Sequence, residues 1–263
     1  MVEVKDKQVV LIQEKPEAPS SHLVNAGLYL FTPEVFEALA QTLKSPRGEY
    51  EITDSLQLMI DEKNNLFYHR LDYWLNLSYP WDLLEANQSL LEGQEAQDLG
   101  EVEPNVVIKG AVSVGKDTII RSGSYIVGPV MIGDNCDIGP NCYIRPFTAI
   151  GNGCHVGASS EVKNSIVMSG SKIPHHNYIG DSVIGEGCNF GSGAKIANLR
   201  LDKKNVRIFG VDTGRRKMGA IIGDGVEIGI NACINTGSVI GNDAFIGPGA
   251  MAGGVILPGS RVY

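Results

Sequence analysis

The sequence has no long apolar run and no secretion signal, and both absences limit what the protein can be. Along its 263 residues, no stretch approaches the roughly 18 consecutive apolar residues that indicate a membrane-spanning helix. The N-terminus lacks the charged and then apolar pattern of a signal peptide. A formal net charge of -8 argues against general binding to nucleic acids or anionic membranes. We therefore expect neither of these as a partner.

Cysteine is also scarce. The chain has five cysteines, an odd number, and no two of them form a C-x-x-C pair. This pattern is not typical of a secreted protein held together by disulfides. It predicts a reducing location, the cytoplasm.

Glycine is rare in the first hundred residues and recurs every few residues after them. Because the composition changes so sharply, we predict two domains, residues 1–95 and residues 96–263. The first domain has mixed helix and strand patterns. Thr32 and Pro33 are predicted to be the N-cap and first residue of one helix, and Pro80 has the same place in another.

The second domain repeats with a period of six residues. The period fits neither an amphipathic helix nor an alternating strand, but it fits the hexapeptide β-helix, in which three hexads make one triangular coil of about 18 residues. The repeat class is left-handed. We therefore predict a mainly β protein, a left-handed parallel β-helix preceded by a partial α/β domain. The repeated aliphatic residues are Val102, Ile108, Val114, Ile120, Ile126, Ile132, Ile138, Ile144, Ile150, Val156 and Val162, and then Ile222, Ile228, Ile234, Ile240 and Ile246.

Most of the cysteines fit into this repeat. They occupy the small-residue position of a hexad, which points into the core, so we predict packing rather than metal binding for them. These cysteines are Cys136, Cys142, Cys154 and Cys188.

The repeat is interrupted in three places. The spacing is predicted to shorten to five between Met168 and Ile173 and again between Ile179 and Ile184, and the letters HHNY lie between these two steps. After Ile196 the repeat stops, and a basic loop at 197–220 follows. The inserted segment has seven basic and two acidic residues, which predicts binding of an anionic small molecule; the alternative is a solvated loop.

Two cations are predicted to be neighbours near the interruptions. Arg145 and Lys163 each follow the aliphatic residue of a hexad, and they are 18 residues apart, one full coil. They should therefore lie side by side on one face of the β-helix. Two cations at strand spacing suit a phosphate group.

Four motifs of the β-helix resemble those of the bifunctional sugar-1-phosphate nucleotidylyltransferase/acetyltransferases, in the same order and at compatible spacing. They are YIRP, EVKN, KIPHHNYIGD and CNFGSGAKIAN. The resemblance implies acetyl transfer from acetyl-CoA to the amine of glucosamine-1-phosphate, by a homotrimer with sites between neighbouring subunits. It also implies a role for each matching residue: His175 as the catalytic base, Ser192 at the acetyl-CoA, and Arg145, Lys163, Tyr178, Asn189, Asn198 and Lys217 at the sugar phosphate.

The first domain resembles the second half of the family's nucleotidylyltransferase domain. The resemblance implies that Glu14, Lys15 and Asn25 contact sugar and that Asn76 is a ligand of Mg²⁺. The family's glycine-rich phosphate loop and its following aspartate have no match in the sequence. We therefore expect an N-terminally truncated chain that does not transfer a nucleotidyl group by itself, whereas the intact protein would also use a nucleoside triphosphate.

Two other functions compete with acetyl transfer. Some hexapeptide β-helices bind zinc through three histidines and act as carbonic anhydrases, and His155, His175 and His176 are the candidates here. Alternatively, the β-helix only oligomerises a glucose-1-phosphate nucleotidylyltransferase. That second alternative leaves the two stacked cations, the HHNY letters and the basic insert without an explanation.

Overall fold

The computed structural model describes residues 1–98 and 100–263, apart from the side chain of Asp98. Contacts within the chain divide it into two compact units, Met1–Leu75 and Asn76–Tyr263. This division lies about twenty residues before the predicted boundary at residues 95 and 96, because the segment between them packs on the β-helix. A division by contacts does not test the domain boundary predicted from composition, which remains a prediction.

The first unit combines a β-hairpin with helices. Its core is built from apolar residues of all four elements, among them Val2, Ile12, Val35, Leu56 and Met59. The two strands pair antiparallel. The elements are β1 (Val2–Lys5), β2 (Gln8–Ile12), α1 (Val35–Gln41) and α2 (Ile52–Asp61).

Helix α1 begins later than predicted. Its N-cap is Glu34, and Thr32 is not a cap. The Thr32 side chain hydrogen-bonds to the Glu34 carboxylate instead, and this bond lowers the pKa of Glu34. The predicted start at Pro33 is therefore wrong by two residues.

Helix α3 (Asp82–Glu92) also begins two residues beyond its predicted start at Pro80. The Asp82 carboxylate accepts hydrogen bonds from the backbone N–H groups of Ser78 and Tyr79, at 2.9 and 2.8 Å. These bonds fix the turn that contains the proline, so the helix starts only after it.

The β-helix and its insert are built from short strands. In chain order these strands are β3 (Gln97–Asp98), β4 (Glu101–Val102), β5 (Val107–Lys109), β6 (Val112–Val114), β7 (Ile119–Ile120), β8 (Tyr125–Val127), β9 (Val130–Ile132), β10 (Asp137–Ile138), β11 (Tyr143–Ile144), β12 (Thr148–Ile150), β13 (His155–Val156), β14 (Glu161–Lys163), β15 (Ile166–Val167), β16 (Lys172–Ile173), β17 (Tyr178–Gly180), β18 (Val183–Ile184), β19 (Asn189–Phe190), β20 (Lys195–Ile196), β21 (Arg207–Ile208), β22 (Val211–Asp212), β23 (Ala220–Ile222), β24 (Glu227–Ile228), β25 (Cys233–Ile234), β26 (Ser238–Ile240), β27 (Phe245–Ile246), β28 (Met251–Ala252), β29 (Val255–Ile256) and β30 (Arg261–Val262).

All of these strands except β21 and β22 form three parallel sheets, the faces of a triangular prism. Within the described residues the sheets have nine, nine and eight strands. We call them the first face (β3, β6, β9, β12, β15, β18, β23, β26, β29), the second face (β4, β7, β10, β13, β16, β19, β24, β27, β30) and the third face (β5, β8, β11, β14, β17, β20, β25, β28). The predicted fold class, a left-handed parallel β-helix after a partial α/β domain, is confirmed.

One predicted interruption is misplaced. Val167 is buried in the core and pairs with Ile150, whereas Met168 is only half-buried. The first five-residue step therefore runs from Val162 to Val167, not from Met168 to Ile173. The second step, from Ile179 to Ile184, is where the sequence predicts it.

The insert packs on the first face rather than extending into solvent. Its strands β21 and β22 form an antiparallel hairpin. Val206, Ile208 and Met218 of the insert are buried in one cluster with Trp81 and Leu84 of the α3 segment. The predicted basic loop is thus held by an apolar contact, while its basic residues stay at the surface. In the parts of the chain that the structure describes, no helix is long and apolar enough to cross a bilayer.

The four cysteines assigned to the core are buried, as predicted, and Cys233 is exposed. Burial raises the pKa of Cys142 to about 12, which keeps its thiol protonated. We expect one rapidly reacting thiol per native chain when the protein is titrated with a disulfide reagent, and five after denaturation. Rapid labelling that survives in Cys233→Ser would contradict the burial of the other four.

Candidate functional site

The adjacent histidines lie at the corner between the second and third faces. His175 and His176 join β16 to β17, and both are exposed. His176 has a φ of 53°, a conformation that histidine, asparagine and aspartate adopt more readily than aliphatic residues. The imidazole of His175 has no hydrogen bond or ion pair within the described residues, so both of its ring nitrogens are available to a ligand.

Ser192 lies at the same corner, one coil further along. The backbone N–H of Gly193 donates to the carbonyl of His175 at 3.0 Å, which stacks the two corner turns directly. Ser192 is half-buried. The structure therefore brings the candidate base and the candidate acetyl-CoA residue to one edge of the prism.

A second group of side chains surrounds Asp181, at the corner between the third and first faces. We call it the aspartate cluster; it consists of Lys163, Asn164, Tyr178, Asp181 and Asn198. Lys163 Nζ lies 2.8 Å from Asp181 Oδ2, and Asn164 Nδ2 donates to Asp181 Oδ1 at 2.7 Å. Asn198 Nδ2 hydrogen-bonds to both Asp181 Oδ2 and the Tyr178 hydroxyl, the latter at 3.1 Å. Three predicted sugar-phosphate residues thus meet around a carboxylate that was not predicted.

Tyr178 connects the two corners. It follows His175 by three residues and begins β17, while its hydroxyl reaches Asn198 in the aspartate cluster. Burial, together with the nearby charges of Asp181 and Glu161, raises the pKa of Tyr178, so its phenol stays protonated. The phenol is therefore a hydrogen-bonding group at neutral pH.

Arg145 and Lys163 are neighbours on adjacent coils, because Ile144 pairs in register with Val162. Each cation already has an acidic partner. Arg145 Nη1 lies 2.8 Å from Glu161 Oε1, and this hydrogen bond raises the pKa of Arg145. Lys163 pairs with Asp181. The two cations and two carboxylates carry no net charge, so the phosphate-binding capacity of this corner depends on the position of the donors.

Two other predicted sugar-phosphate residues make no side-chain hydrogen bond to the aspartate cluster within the described residues, although the backbone of Lys217 lies beside it. Asn189 is on the second face and donates to Glu227 at 3.0 Å. Lys217 is exposed at the base of the insert, where it forms an antiparallel bridge with Leu199. Asn189 therefore lies on a different face from Tyr178 within one chain.

Comparison with known proteins finds relatives for both parts of the chain. Residues 1–93 match the nucleotidyl transferase family model, and residues 126–213 match the model of the GMPPB C-terminal domain. A bifunctional sugar-1-phosphate nucleotidylyltransferase/acetyltransferase from Sulfurisphaera tokodaii is 46% identical over 91% of this chain and 61% of its own length. The bifunctional protein GlmU of Methanocaldococcus jannaschii is 41% identical over 98% of this chain and 64% of its own length.

The chain is a homologue of these bifunctional transferases. The family resemblance predicted from the four β-helix motifs is thereby confirmed. The chain spans less than two thirds of the length of these bifunctional relatives. Among solved structures, a UDP-N-acetylglucosamine acyltransferase from Campylobacter jejuni matches 60% of this chain and 69% of its own, with 14% identity and a TM-score of 0.39.

The candidate sugar residues of the nucleotidylyltransferase part form local contacts. Glu14 Oε1 lies 3.4 Å from Arg47 Nη1 and 4.0 Å from Lys15 Nζ. The backbone of Lys15 has a φ of 37°. The side-chain oxygen of Asn25 accepts from the backbone N–H of Gly27 at 3.1 Å. These contacts do not test the predicted sugar-binding roles of Glu14, Lys15 and Asn25, which remain predictions.

The metal candidates do not form a binding group. Asn76 Nδ2 donates to the Ser78 hydroxyl at 2.6 Å. Mg²⁺ prefers carboxylate oxygens, and the described residues contain no group of three histidine, cysteine, aspartate or glutamate side chains that could hold a metal ion. The zinc site of His155, His175 and His176 is therefore not supported, and these residues alone do not fit a magnesium site.

Asp181 and Glu161 were missed by the sequence prediction, although a signal for Asp181 was available. Asp181 lies 18 residues after Lys163 and 17 before Asn198, one coil from each. The one-coil rule that paired Arg145 with Lys163 would have placed it between them.

Proposed function

We propose that this protein transfers the acetyl group of acetyl-CoA to the amine of an amino-sugar 1-phosphate, with glucosamine-1-phosphate as the first candidate. The observation that carries the proposal is the position of His175. Its exposed imidazole has no hydrogen bond or ion pair within the described residues. The backbone of His175 is bonded to the turn that carries Ser192, and Tyr178 links this corner to the aspartate cluster.

The chemistry requires a base at this position. The neutral amine attacks the thioester carbonyl, a C–N bond forms, the C–S bond breaks, and coenzyme A leaves as the thiol. His175 would accept the proton that the amine loses and pass it to the departing sulfur, a role to which histidine is suited near neutral pH. A backbone N–H of the glycine-rich corner would stabilise the oxyanion of the intermediate.

The donors at the other corner would hold the substrate. Arg145 and Lys163 would bind the phosphate group, and Tyr178 and Asn198 would contact the sugar. Such contacts contribute to catalysis by fixing the amine in line with the thioester.

Assembly would complete the site. Asn189 lies on the second face, away from the aspartate cluster of its own protomer, and a homotrimer would place it against a neighbouring third face. We propose that trimer, in the cytoplasm, as the active form. For the intact protein we propose nucleotidyl transfer from a nucleoside triphosphate to the sugar 1-phosphate, with Mg²⁺ as cofactor. Glu14, Lys15 and Asn25 would bind the sugar. The family resemblance assigns Asn76 as a ligand of the metal.

The main alternative is a β-helix that only oligomerises a glucose-1-phosphate nucleotidylyltransferase. It is less well supported, because the relatives that match 91% and 98% of this chain are named as bifunctional. The zinc hypothesis is not supported, because the described residues contain no group of side chains that could hold a metal ion.

An acetyl-transfer assay tests the proposal directly. Purified protein is mixed with acetyl-CoA and glucosamine-1-phosphate, galactosamine-1-phosphate or glucose-1-phosphate, and thiol release is followed over time. We expect release with at least one amino sugar and none above background with glucose-1-phosphate, which has no amine. Equal background rates with all three would contradict acetyl transfer.

A further inference from the structure

The carboxylate of Asp181 is the point at which the aspartate cluster converges. It is buried, with a side-chain exposure of 5%, and both of its oxygens are used. Oδ2 accepts from Lys163 and Asn198, and Oδ1 accepts from Asn164. Each bond to this ionised group is worth more than a neutral hydrogen bond, and each donor is held at a fixed angle.

The backbone of Asp181 connects three segments of the chain. Its N–H donates to the carbonyl of Lys163 at 2.9 Å, on the preceding coil. Its own carbonyl accepts from Gly219 at 2.8 Å, where the insert returns to the β-helix. Asn164, in turn, accepts from Gln88 of helix α3 at 2.8 Å. Asp181 is thus fixed independently of any substrate.

We propose that Asp181 is a positioning residue of the acetyl-transfer site, which holds Lys163 and Asn198 in the orientation that binds the sugar phosphate. The inference rests on the proposed function and adds a residue to it. Asp181 itself would not touch the reacting atoms. It acts through two side chains that the family resemblance assigns to the substrate and that share its Oδ2 atom.

Positioning and simple electrostatics predict opposite effects of Asp181→Asn. Removal of a negative charge beside a phosphate would by itself strengthen binding. An asparagine, however, offers one acceptor oxygen to three donors and turns an N–H₂ group toward the rest, so the cluster loses at least one of its bonds. The carboxylate partner of Lys163 also becomes a neutral amide, which weakens the bond that orients the lysine. The φ of 51° at this position suits asparagine as well as aspartate, so the substitution changes the side-chain bonds and leaves the turn intact.

Steady-state kinetics of Asp181→Asn test the proposal. We expect KM for the amino-sugar phosphate to rise by about ten- to hundredfold, the loss that one or two charged hydrogen bonds produce. KM for acetyl-CoA should stay within about twofold. A merely structural role would lower thermal stability without this split. Unchanged or tighter sugar-phosphate binding would overturn the proposal.

A matched control is available at Asp243, an exposed aspartate at another repeat corner with a φ of 56°. Asp243→Asn makes the same chemical change in the same backbone conformation, outside the aspartate cluster. We expect both KM values to remain within about twofold of the original protein. A sugar-phosphate effect as large as that of Asp181→Asn would show a general effect of charge and would overturn the proposal.

Calorimetry with glucosamine-1-phosphate separates this inference from the proposed function. Binding to the original protein that is lost in Asp181→Asn supports the positioning role even if no acetyl is transferred. No binding to the original protein would overturn it. If Asp181→Asn does not fold, Lys163→Met/Asp181→Asn removes both charges of the ion pair together. Because Lys163 would itself bind the phosphate, this pair variant is compared with Lys163→Met. It should bind the sugar phosphate more weakly than Lys163→Met, since Asn198 also loses its carboxylate partner, with acetyl-CoA binding retained; equal sugar-phosphate binding by the two would contradict the proposal.

Discussion

His175→Ala is expected to reduce the kcat of acetyl transfer by about 10²- to 10⁴-fold, the contribution that a general base makes to such a reaction. The reason is that the attacking amine must lose a proton as the C–N bond forms, and alanine cannot accept it. His175 is exposed and makes no side-chain bond within the described residues, so its removal should leave stability and both KM values nearly unchanged. Thiol release at saturating substrates measures the effect, and thermal unfolding checks the fold.

Two other histidines serve as controls for this result. His176→Asn keeps a residue that tolerates the φ of 53° at the same corner, and His155→Gln replaces a histidine that contacts the Asp137 carbonyl at 3.1 Å on the second face. We expect both variants to retain most of the activity. A zinc site would instead require all three histidines, so comparable losses in all three variants would contradict the base mechanism. Full activity in His175→Ala would remove that residue from it.

The regular part of the β-helix could be predicted from sequence because each coil repeats one simple rule. An aliphatic side chain every six residues predicts the buried positions, and the core from Val112 to Ala252 follows this spacing apart from two five-residue steps and the insert. The misplaced step has an equally simple cause. Val167 and Met168 are adjacent and both apolar, and only the pairing of Val167 with Ile150 decides which of them faces inward.

The insert could not be predicted in the same way. Its charges were visible in the sequence, but Val206, Ile208 and Met218 follow no regular period that would indicate a buried face. They are buried because the outward side of the first face is itself apolar at Val183, Ile221 and Val239. Burial here depends on two surfaces that meet in the fold, which a local pattern does not reveal.

The candidate site was predicted in part. Lys163, Tyr178 and Asn198 meet as expected, but the two carboxylates that pair with Arg145 and Lys163 change its electrostatics. The two neighbouring cations in the sequence predict a positively charged phosphate site. In the structure each of them is paired with a carboxylate, so the group carries no net charge. If the proposed function holds, phosphate binding at this corner would therefore depend on the positions of the donors rather than on net charge.

Phe190→Ala is expected to lower the free energy of unfolding by about 3–5 kcal/mol, the cost of deleting a buried aromatic ring and leaving a cavity. Phe190 is completely buried in the hydrophobic core and occupies the aliphatic position of its hexad. Its coil carries Asn189 and Ser192, so the cavity would form in the core behind these two candidate residues. The midpoint of guanidinium unfolding, measured at one fixed protein concentration, gives the loss if the slope is unchanged.

Phe245 provides the matched control for that substitution, because it lies on the same second face but points outward. It is 43% exposed and packs against the Arg261 guanidinium, 5.0 Å from the ring centre. Phe245→Ala should therefore cost only about 0.5–1 kcal/mol. A second variant, Phe190→Leu, refills most of the cavity and should recover much of the loss. Equal losses at the two phenylalanines would show that the ring of Phe190 is not a core residue, because an outward-facing ring leaves no cavity behind.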